Sequence, residues 1–319
     1  MTINVDGSYM LGSGQVVRLT LSLGVLLNED VHLFNIRKYR NPPYLLLHHK
    51  NTIDALAEIS QARTEGVFEG SSEIFFYPKG VRSGDYCFRI ENDGCVVSFL
   101  EAVCLGLSLE ESESTIRLQG GSSHHLPHFV QVVCPTLEKI GLSIEVKYHR
   151  LSFQPERDSE LELRIKREYM EPLKLMERGN LENILIEYYV PKESTLPEIL
   201  GITNDVVIKR CNRENVLIKA KYEKTILGID GLIGNGKDEK SYLEVREEFE
   251  RLISSKATLD IYTAEQVLPF LIFNRGLSKF VVNEISDHLV TEAKLINSIM
   301  GRKVIKLSKN KILIQGVEK

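Results

Sequence analysis

One histidine near the end of the chain, His288, has the sequence context of a nucleophile. It follows Ser286 and Asp287, and apolar residues recur at helical spacing over 288–300, so the pattern predicts a helix that begins at this histidine. The positive end of a helix dipole disfavours protonated imidazole, which keeps the ring neutral near pH 7. A neutral imidazole can attack a phosphorus centre and form a covalent intermediate. The alternative is a histidine at a helix start that takes part in no chemistry.

A glycine-containing turn near the N-terminus is a candidate phosphate site. Gly12 and Gly14 flank Ser13 directly before an apolar pattern of helical spacing over 15–27. Glycines allow backbone N–H groups to approach an anion, and a helix N-terminus favours negative charge. Arg18 would lie one turn into that helix. A plain strand-to-helix turn explains the same residues without a ligand.

A second glycine-rich segment, 231–237, has the GxxxxGK spacing of a phosphate-binding loop. Such a loop needs Ser or Thr after the lysine to bind the magnesium ion, whereas Asp238 follows Lys237 here. An acidic side chain at that place would repel a phosphate. The sequence therefore favours a hairpin or loop without a ligand.

Positive charge is concentrated in one short segment. Six basic or titratable side chains lie within 14 residues: Arg37, Lys38, Arg40, His48, His49 and Lys50. Such a cluster can hold several phosphates. A solvated loop of the same composition is equally consistent with the sequence.

Three histidines follow a glycine pair in the segment 120–128. His124, His125 and His128 would suit a metal ion, but no carboxylate or cysteine joins them at ligand spacing. We therefore expect a polar loop.

Composition restricts the class of protein and its partners. The chain has 319 residues, 43% of them hydrophobic, which suits a soluble globular protein of about two domains. Its 40 basic and 44 acidic residues leave a net charge of −4, so no global basic field attracts long nucleic acid or anionic membrane. Five cysteines without a CxxC pair suit reduced thiols and give no zinc signature. With no signal-peptide pattern and no apolar run of roughly 18 residues, we expect a cytoplasmic protein that spans no membrane.

Hydrophobic periodicity predicts alternating helices and strands. Helices are predicted over 15–27, from an N-cap at Asn51 or Thr52 to Gly66, and over 95–107, 129–140 with a kink at Pro135, 241–253, 262–273 and 288–300. Strands are predicted over 73–77, 86–90, 142–148, 160–166, 184–190, 206–209, 216–220, 279–282, 303–307 and 311–315.

The order βαββ recurs on both sides of a β-rich stretch, which predicts an α+β protein. Its main domain, 1–178 plus 256–319, would consist of repeated βαββ-type units. A smaller α+β domain, 179–255, would be inserted into it.

Six segments, taken in order along the chain, resemble the RNA 3′-terminal phosphate cyclase family. Segment 6–18 is similar to the family's D-G…G-G-G-Q-x-x-R signature, and 286–291 is similar to the S-x-H-L-x-T segment that carries its nucleophilic histidine. The other similar segments are 35–49 with N-I-R-x-x-R…P…H, 78–86 with P-x-G…G-D-Y, 120–122 with G-G-S, and 262–269 with Y-T-A-E-Q-V-L-P. The resemblance also implies a main domain of repeated units with a small inserted domain.

The resemblance implies an ATP-dependent enzyme of the ligase class that converts an RNA 3′-terminal phosphate to a 2′,3′-cyclic phosphate. His288 would take AMP from ATP and release pyrophosphate. The RNA phosphate would then take the AMP to give RNA-ppA, and the 2′-hydroxyl would displace AMP. ATP and a divalent cation, Mg²⁺ or Mn²⁺, would be required, while the metal ligands and the oligomeric state stay open.

The resemblance also assigns residues to roles. The phosphates would be cradled by Gly12, Gly14, Arg18, Arg37 and Arg40. The nucleotide site would be lined by Tyr262, Thr263, Ala264, Glu265, Gln266 and Glu101, the last at the position of a family glutamine. The RNA end would be bound by His48 and His49.

Three features besides Glu101 depart from the family pattern. Leu11 stands at the position of a family glutamate, the loop after Gly121 is shorter and holds the three histidines, and 157–159 replaces a glycine triplet. The missing glutamate and the missing glycine triplet favour an alternative, a non-catalytic relative that acts in RNA processing or ribosome assembly, whereas His288 favours the enzyme. A third hypothesis is an unrelated nucleotide-binding protein that uses 231–237.

Overall fold

The structure is a computed structural model that describes residues 2–10, 12–153, 158–191, 206–234 and 240–317. In these residues the strands form four four-stranded sheets, each of which contains both parallel and antiparallel pairs. Helices alternate with the strands along the chain. This mixture of helices and small mixed sheets confirms the predicted α+β class.

The first sheet is built from the N-terminal quarter of the chain. Its strands, in the order β1-β2-β4-β3, are β1 (Thr2–Asp6), β2 (Asp30–Phe34), β3 (Arg63–Glu65) and β4 (Ile74–Tyr77). Helix α1 (Gly14–Leu27) connects the parallel pair β1 and β2, and α2 (Leu47–Ser60) precedes β3. β4 is antiparallel to both of its neighbours.

The second sheet repeats this arrangement. Its strands, in the order β5-β6-β8-β7, are β5 (Asp85–Cys95), β6 (Ser114–Ser122), β7 (Leu142–Arg150) and β8 (Glu160–Arg167). Helix α3 (Val96–Leu107) connects the parallel pair β5 and β6. Before β7 the chain forms one helical turn α4 (Leu126–His128), a π-helical stretch (Phe129–Val133) and α5 (Cys134–Glu138).

A two-residue strand, β9 (Lys174–Leu175), begins a third unit that a separate sheet interrupts. The strands of that sheet, in the order β11-β10-β12-β13, are β10 (Leu181–Val190), β11 (Val206–Arg210), β12 (Asn215–Tyr222) and β13 (Ile226–Leu232). Helix α6 (Tyr242–Ser254) packs on β12 and β13, and its Val245 and Phe249 belong to a hydrophobic core separate from the main one. The boundaries at 179 and 255 stay a prediction about independently folding units.

The third unit resumes after this sheet. Helix α7 (Ile261–Val267) and a 3₁₀ segment (Leu268–Phe273) lead into β14 (Leu277–Val281), which pairs in parallel with β9. Helix α8 (Asp287–Ile299) then connects to β15 (Ile305–Ser308) and β16 (Lys311–Gln315). The resulting order, β9-β14-β16-β15, is again first, second, fourth, third.

All three units therefore share one topology, with a parallel first pair and an antiparallel third and fourth strand. The intervening sheet lies between the first strand and the crossover of the third unit. A crossover between parallel strands tolerates such an insertion because the connection is long already.

Helix α1 is central because it is buried on almost every side. It packs against α2, α3 and α8, and Val16, Leu21 and Leu23 are fully buried. Each such side chain contributes roughly 1.5–3 kcal/mol by leaving water. The apolar sequence of α1 thus fixes its N-terminus beside α8.

The structure corrects the predicted start and end of α2. The helix begins at Leu47, before the expected caps at Asn51 or Thr52, because the backbone N–H of Leu46 donates to Nδ1 of His49 at 3.2 Å. It ends at Ser60 rather than near Gly66, since Gln61 adopts the left-handed conformation that closes a helix.

Prolines divide two predicted helices. Over 129–140 the chain is π-helical up to Val133 and α-helical from Cys134, and over 262–273 it changes from α to 3₁₀ at Leu268. Pro135 and Pro269 stand at these transitions and have no N–H for the helical hydrogen bond, so the pitch changes there.

The sequence analysis missed six strands, β1, β2, β3, β6, β9 and β13. For β13 the reason lies in its packing. Its sequence contains Gly228 and Gly231, which weaken the strand pattern. A Cβ at Gly228 would lie 2.8 Å from the Val132 side chain and one at Gly231 would lie 3.0 Å from Val245, so close packing on both faces of the strand requires glycine. The GxxxxGK segment therefore begins inside a strand, and its Lys237 lies outside the described residues.

Candidate active site

A cavity of about 380 Å³ lies where α1, α3, α7 and α8 meet. Seven of the predicted site residues line it: Gly14, Arg18, Glu101, Tyr262, Glu265, Gln266 and His288. Gln15, Glu292, His125, His128 and Asp230 line it as well. The three structural units and the inserted sheet thus all contribute side chains to one cavity.

The N-terminus of α1 opens into this cavity. Its N-cap residue, Ser13, makes no capping hydrogen bond, and the Ser13 Oγ is buried without a partner in the described part of the chain. A Cβ at Gly14 would lie only 2.3 Å from Nε2 of His49, so only glycine fits beside that ring. Uncapped first-turn N–H groups form a binding site for an anion.

His288 is oriented by a chain of two hydrogen bonds. Its Nδ1 lies 2.9 Å from Gln15 Oε1, and Gln15 Nε2 donates to Glu292 Oε1 at 2.8 Å. Because the amide nitrogen of Gln15 is engaged by Glu292, its oxygen accepts the hydrogen of Nδ1. The other ring nitrogen, Nε2, then carries the lone pair.

The charge state of His288 favours a nucleophile. Partial burial and the positive charges of Arg18 and Arg40 lower the pKa of His288 below its ordinary value, although Asp287 acts in the opposite direction. The ring lies in the first turn of α8, at the positive end of that helix. The imidazole is therefore neutral near pH 7, as the sequence predicted.

Further basic groups surround the end of α1. Arg37 is buried, its Nε has no partner in the described part of the chain, and burial together with Arg40 lowers its pKa. Burial, helped by His48 and Arg18, lowers the pKa of His49 to about 2. Because Nδ1 of neutral His49 accepts from Leu46, its Nε2 carries a hydrogen and donates towards the region of Gly14.

Three carboxyl groups line the cavity. Burial raises the pKa of Glu101 to about 7 and that of Glu265 to about 7, and the pKa of Glu292 rises well above its ordinary value through burial and the proximity of Glu265. The charge of Glu101 interacts with Arg18 and with His125, so Glu101 lies between them. A carboxyl that is partly protonated at neutral pH offers a donor and an acceptor, as a glutamine does.

The other side of the cavity contains two histidine–aspartate pairs. His125 Nδ1 lies 3.0 Å from Asp230 Oδ1, and His128 Nε2 lies 3.3 Å from Asp260 Oδ1. Burial opposes the charged form of His128, but Asp260 outweighs it and raises the pKa. Asp260 also accepts from the backbone N–H of Thr263 at 2.7 Å, so it caps the helix that carries Tyr262.

Several predicted site residues lie away from this cavity. Gly12 occupies the preceding turn, with φ +52° and a backbone hydrogen bond to Tyr9. Thr263 and Ala264 are fully buried on the opposite face of α7. His48 lines a neighbouring cavity of about 220 Å³, which also contacts Arg18.

The cavity lining does not include Arg37, Arg40 or His49 either. Their charges still act close to the α1 end, because Arg40 affects the pKa of His288 and Arg37 affects that of His49. Of the departures from the family pattern, Leu11 and Arg157 lie outside the described residues, whereas Asp158 pairs with Arg89 and Ser159 is buried. The third departure, the histidine loop, reaches the cavity through His125 and His128.

The sequence analysis did not assign roles to Gln15, Glu292 and Asp230. Gln15 belongs to segment 6–18, which resembles the family signature, so the resemblance could have indicated a role for Gln15. Glu292 lies four residues after His288, one helical turn away, which spacing could have indicated. Nothing in the sequence pairs Asp230 with His125, because 105 positions separate them.

The part of the chain that the structure describes shows neither a metal-binding cluster nor a membrane-spanning helix. There, no group of three or more His, Cys, Asp or Glu side chains is arranged to hold a metal ion. The described helices also include none with the length and apolar character that crossing a membrane requires.

Comparison with known proteins identifies the family. The family model for RNA 3′-terminal phosphate cyclase matches residues 9–305. The chain belongs to this family. Among curated relatives with that name are the proteins of Archaeoglobus fulgidus, 28% identical over 98% of this chain and 100% of its own, and Methylococcus capsulatus, 29% identical over 92% and 90%. The relative from Pyrococcus furiosus is 27% identical over 94% of each chain.

This membership confirms the resemblance found in the sequence. Among solved structures, the enolpyruvyl transferase NikO from Streptomyces tendae aligns with 52% of this chain and 34% of its own, with 19% identity and a TM-score of 0.32. A similarity at that level carries no argument about fold or function.

Proposed function

We propose that this protein is an ATP-dependent RNA 3′-phosphate cyclase that works through a histidine–AMP intermediate. The observation that carries the proposal is the orientation of His288 by Gln15 and Glu292 at the edge of the cavity. Membership of the family supports the overall reaction, and the geometry of the cavity supports the individual steps.

In the first step, the lone pair on Nε2 of His288 attacks the α-phosphorus of ATP. A phosphorus–nitrogen bond forms, the bond to the bridging oxygen breaks, and pyrophosphate leaves. Nδ1 keeps its hydrogen, and Gln15 accepts it throughout. As the ring gains positive charge, the polar chain through Gln15 to Glu292 stabilises it.

In the second step, an oxygen of the RNA 3′-phosphate attacks the same phosphorus and the histidine leaves, which gives RNA-ppA. In the third step, the neighbouring 2′-hydroxyl attacks the 3′-phosphorus, AMP leaves, and the hydroxyl proton passes to solvent. A phosphomonoester dianion is a poor electrophile, so the adenylate supplies the leaving group that cyclisation needs.

The α1 end of the cavity suits a triphosphate and an RNA phosphate. The uncapped N-terminus of α1, the partnerless Nε of Arg37 and the ring of His49 all present hydrogen-bond donors there. Arg18 and Arg40 add positive charge close to His288. Donors that are fixed before the ligand arrives stabilise developing charge at low cost.

A divalent cation, Mg²⁺ or Mn²⁺, would neutralise part of the triphosphate charge. Because the described residues contain no three-ligand metal group, we assign no step and no protein ligand to it. The steps above use only the donors and charges of the chain itself.

The test is covalent labelling with ATP that carries radioactive phosphorus at the α position, in the presence of Mg²⁺ or Mn²⁺. We expect a label on the wild-type protein that survives denaturing electrophoresis and alkali but is lost in acid. His288→Ala should carry none. His149→Ala is the matched control, since His149 is exposed on β7 and lines a different cavity.

A second stage follows the labelled protein after addition of RNA. RNA ending in a 3′-phosphate should remove the label and become cyclic, whereas RNA ending in a 3′-hydroxyl should leave the label in place. If wild-type protein stays unlabelled with either metal, the enzymatic proposal is wrong and a non-catalytic role in RNA processing or ribosome assembly takes its place.

A further inference from the structure

The cavity has two chemically different ends. We call the side with Gly14, Arg18 and His288 the phosphate end, and the side with His125, Asp230 and Tyr262 the base end. The inference concerns the base end, and it rests on the proposed function because it assumes that a nucleotide occupies the cavity.

The distribution of charge fixes the direction of a bound nucleotide. The phosphate end has an uncapped helix N-terminus and cationic Arg18. The base end has the buried side chain of Asp230, whose pKa burial raises but the neighbouring histidines His125, His128 and His124 together hold below its ordinary value. An anionic triphosphate is attracted to the first end, so the base lies at the second.

The surfaces of the base end suit a flat aromatic ring. Tyr262 lies edge-on to His128, with ring centroids 6.2 Å apart, and Pro269 and Phe270 also line the cavity. The Tyr262 hydroxyl is held by Glu248 at 2.9 Å, which fixes the plane of its ring. Aromatic and apolar walls of this kind bind a purine through its faces.

His125 provides a polar edge at this end. Its Nδ1 is engaged by the buried, ionised Asp230 at 3.0 Å, so Nδ1 carries the hydrogen. With one hydrogen on the ring, and that hydrogen on Nδ1, Nε2 is an acceptor, and the described residues provide no further hydrogen bond to it. The side chain is 46% exposed and lines the cavity, so a ligand can reach this nitrogen.

We infer that His125, oriented by Asp230, is a specificity-determining residue that accepts a hydrogen bond from an exocyclic amino group of the nucleotide base. The 6-amino group of adenine is such a donor. A purine with hydrogen or a carbonyl oxygen at position 6 provides none, and the carbonyl oxygen would face a second acceptor. A site built to accept a hydrogen bond rejects ligands that cannot donate one.

The inserted sheet thereby takes part in choosing the nucleotide. Asp230 belongs to β13 of that sheet, while His125 precedes α4 in the second unit. Gly228, on the same strand, donates its backbone N–H to Asp260 at 3.2 Å, so β13 is also tied to the cap of the helix that carries Tyr262. The strand positions both the polar and the aromatic part of the base end.

The test compares two nucleotides that differ only at position 6, ATP and purine riboside triphosphate. Equilibrium binding to the full-length protein with Mg²⁺ is measured by calorimetry, which needs no turnover. We expect wild-type protein to prefer ATP about tenfold, as one hydrogen bond predicts. For His125→Ala the ratio of the two affinities should fall to about one.

Two further variants distinguish an effect on the hydrogen bonding of His125 from an effect on the stability of the protein. His125→Gln places an amide oxygen near the position of Nε2 and should restore part of the ATP preference. In Asp230→Asn the side-chain amide can donate a hydrogen bond to Nδ1 of His125, which leaves the ring hydrogen on Nε2. The nucleotide preference of this variant should therefore move from ATP towards inosine triphosphate. His124→Ala is the matched control, because this neighbouring ring does not line the cavity and its removal should leave the tenfold ratio unchanged.

The outcomes distinguish this inference from the proposed function. Equal binding of both nucleotides by wild-type protein, an ATP preference that persists in His125→Ala, or no binding of either nucleotide overturns the inference. Covalent labelling decides the proposed function separately, since a protein that labels His288 equally well from both nucleotides would still be an adenylylating enzyme.

Discussion

The two ends of the cavity are built in different ways. The phosphate end uses the first turns of α1 and α8, where short sequence segments place Gly14, Gln15 and His288. The base end combines a loop after β6, the strand β13 and the helix α7, which are far apart in the chain. Under the proposed function, phosphate binding depends on helix starts that local sequence specifies, whereas recognition of the base depends on how the inserted sheet is attached.

The largest effect should come from Arg18, which serves the phosphate end alone. Arg18→Ala should lower the rate of His288 labelling about 30-fold through loss of a charged contact. The factor should be the same for ATP and for purine riboside triphosphate, measured as kcat/KM for each. Lys50→Ala is the control, since Lys50 pairs with Asp54 on the surface of α2. A selective loss with ATP would contradict the division into two ends.

A smaller effect is expected for the residue that orients the nucleophile. Gln15→Leu removes the acceptor of the Nδ1 hydrogen and the donor to Glu292, so His288 samples both tautomers. The kcat of labelling should fall about tenfold, with KM for ATP little changed. If the KM for ATP rises in this variant while kcat is unchanged, then Gln15 binds the nucleotide and does not position His288.

Glu101 lies between the two ends and should report on pH. Burial raises its pKa to about 7, so the folded state retains a proton that the unfolded state releases above about pH 4.5. The contribution of Glu101 to the free energy of unfolding therefore becomes destabilising as pH rises from about 4.5 to about 7. It stays destabilising at higher pH.

The variant Glu101→Gln should remove this penalty. We expect it to be more stable than wild type at pH 8 by about 2 kcal/mol, with little difference at pH 4.5, as measured by denaturant unfolding. Its affinity for ATP should also vary less between pH 6 and pH 8 than that of wild type. A gain of stability that is the same at both pH values would mean that packing, not charge, is responsible.

The smallest effect is expected at Thr263, which the family resemblance assigns to the nucleotide site. Its side chain is buried away from the cavity and donates to Asp260 at 2.9 Å. Thr263→Val should cost about 1 kcal/mol of stability and leave labelling kinetics within twofold of wild type. A large rise in KM for ATP would instead support the role that the resemblance implies.

Local sequence was sufficient for the phosphate end because helix starts have local causes. Apolar spacing placed α1 and α8 within one residue of their observed starts, and the neutral state expected for His288 agrees with its lowered pKa. Two of the errors have side-chain causes that apolar spacing does not show. His49 caps α2 by a side-chain contact, and β13 keeps two glycines because its neighbours leave no room for a side chain.

By itself the sequence determined the α+β class, the position of the candidate nucleophile and the family, because periodicity and ordered short motifs act within a few residues of one another. Only the tertiary structure decided which side chains share the cavity. Glu292 is engaged through Gln15, and Asp230 is engaged by His125 across 105 positions. Such pairs depend on the burial of α1 and the docking of β13, which are properties of packing and have no local signature in the chain.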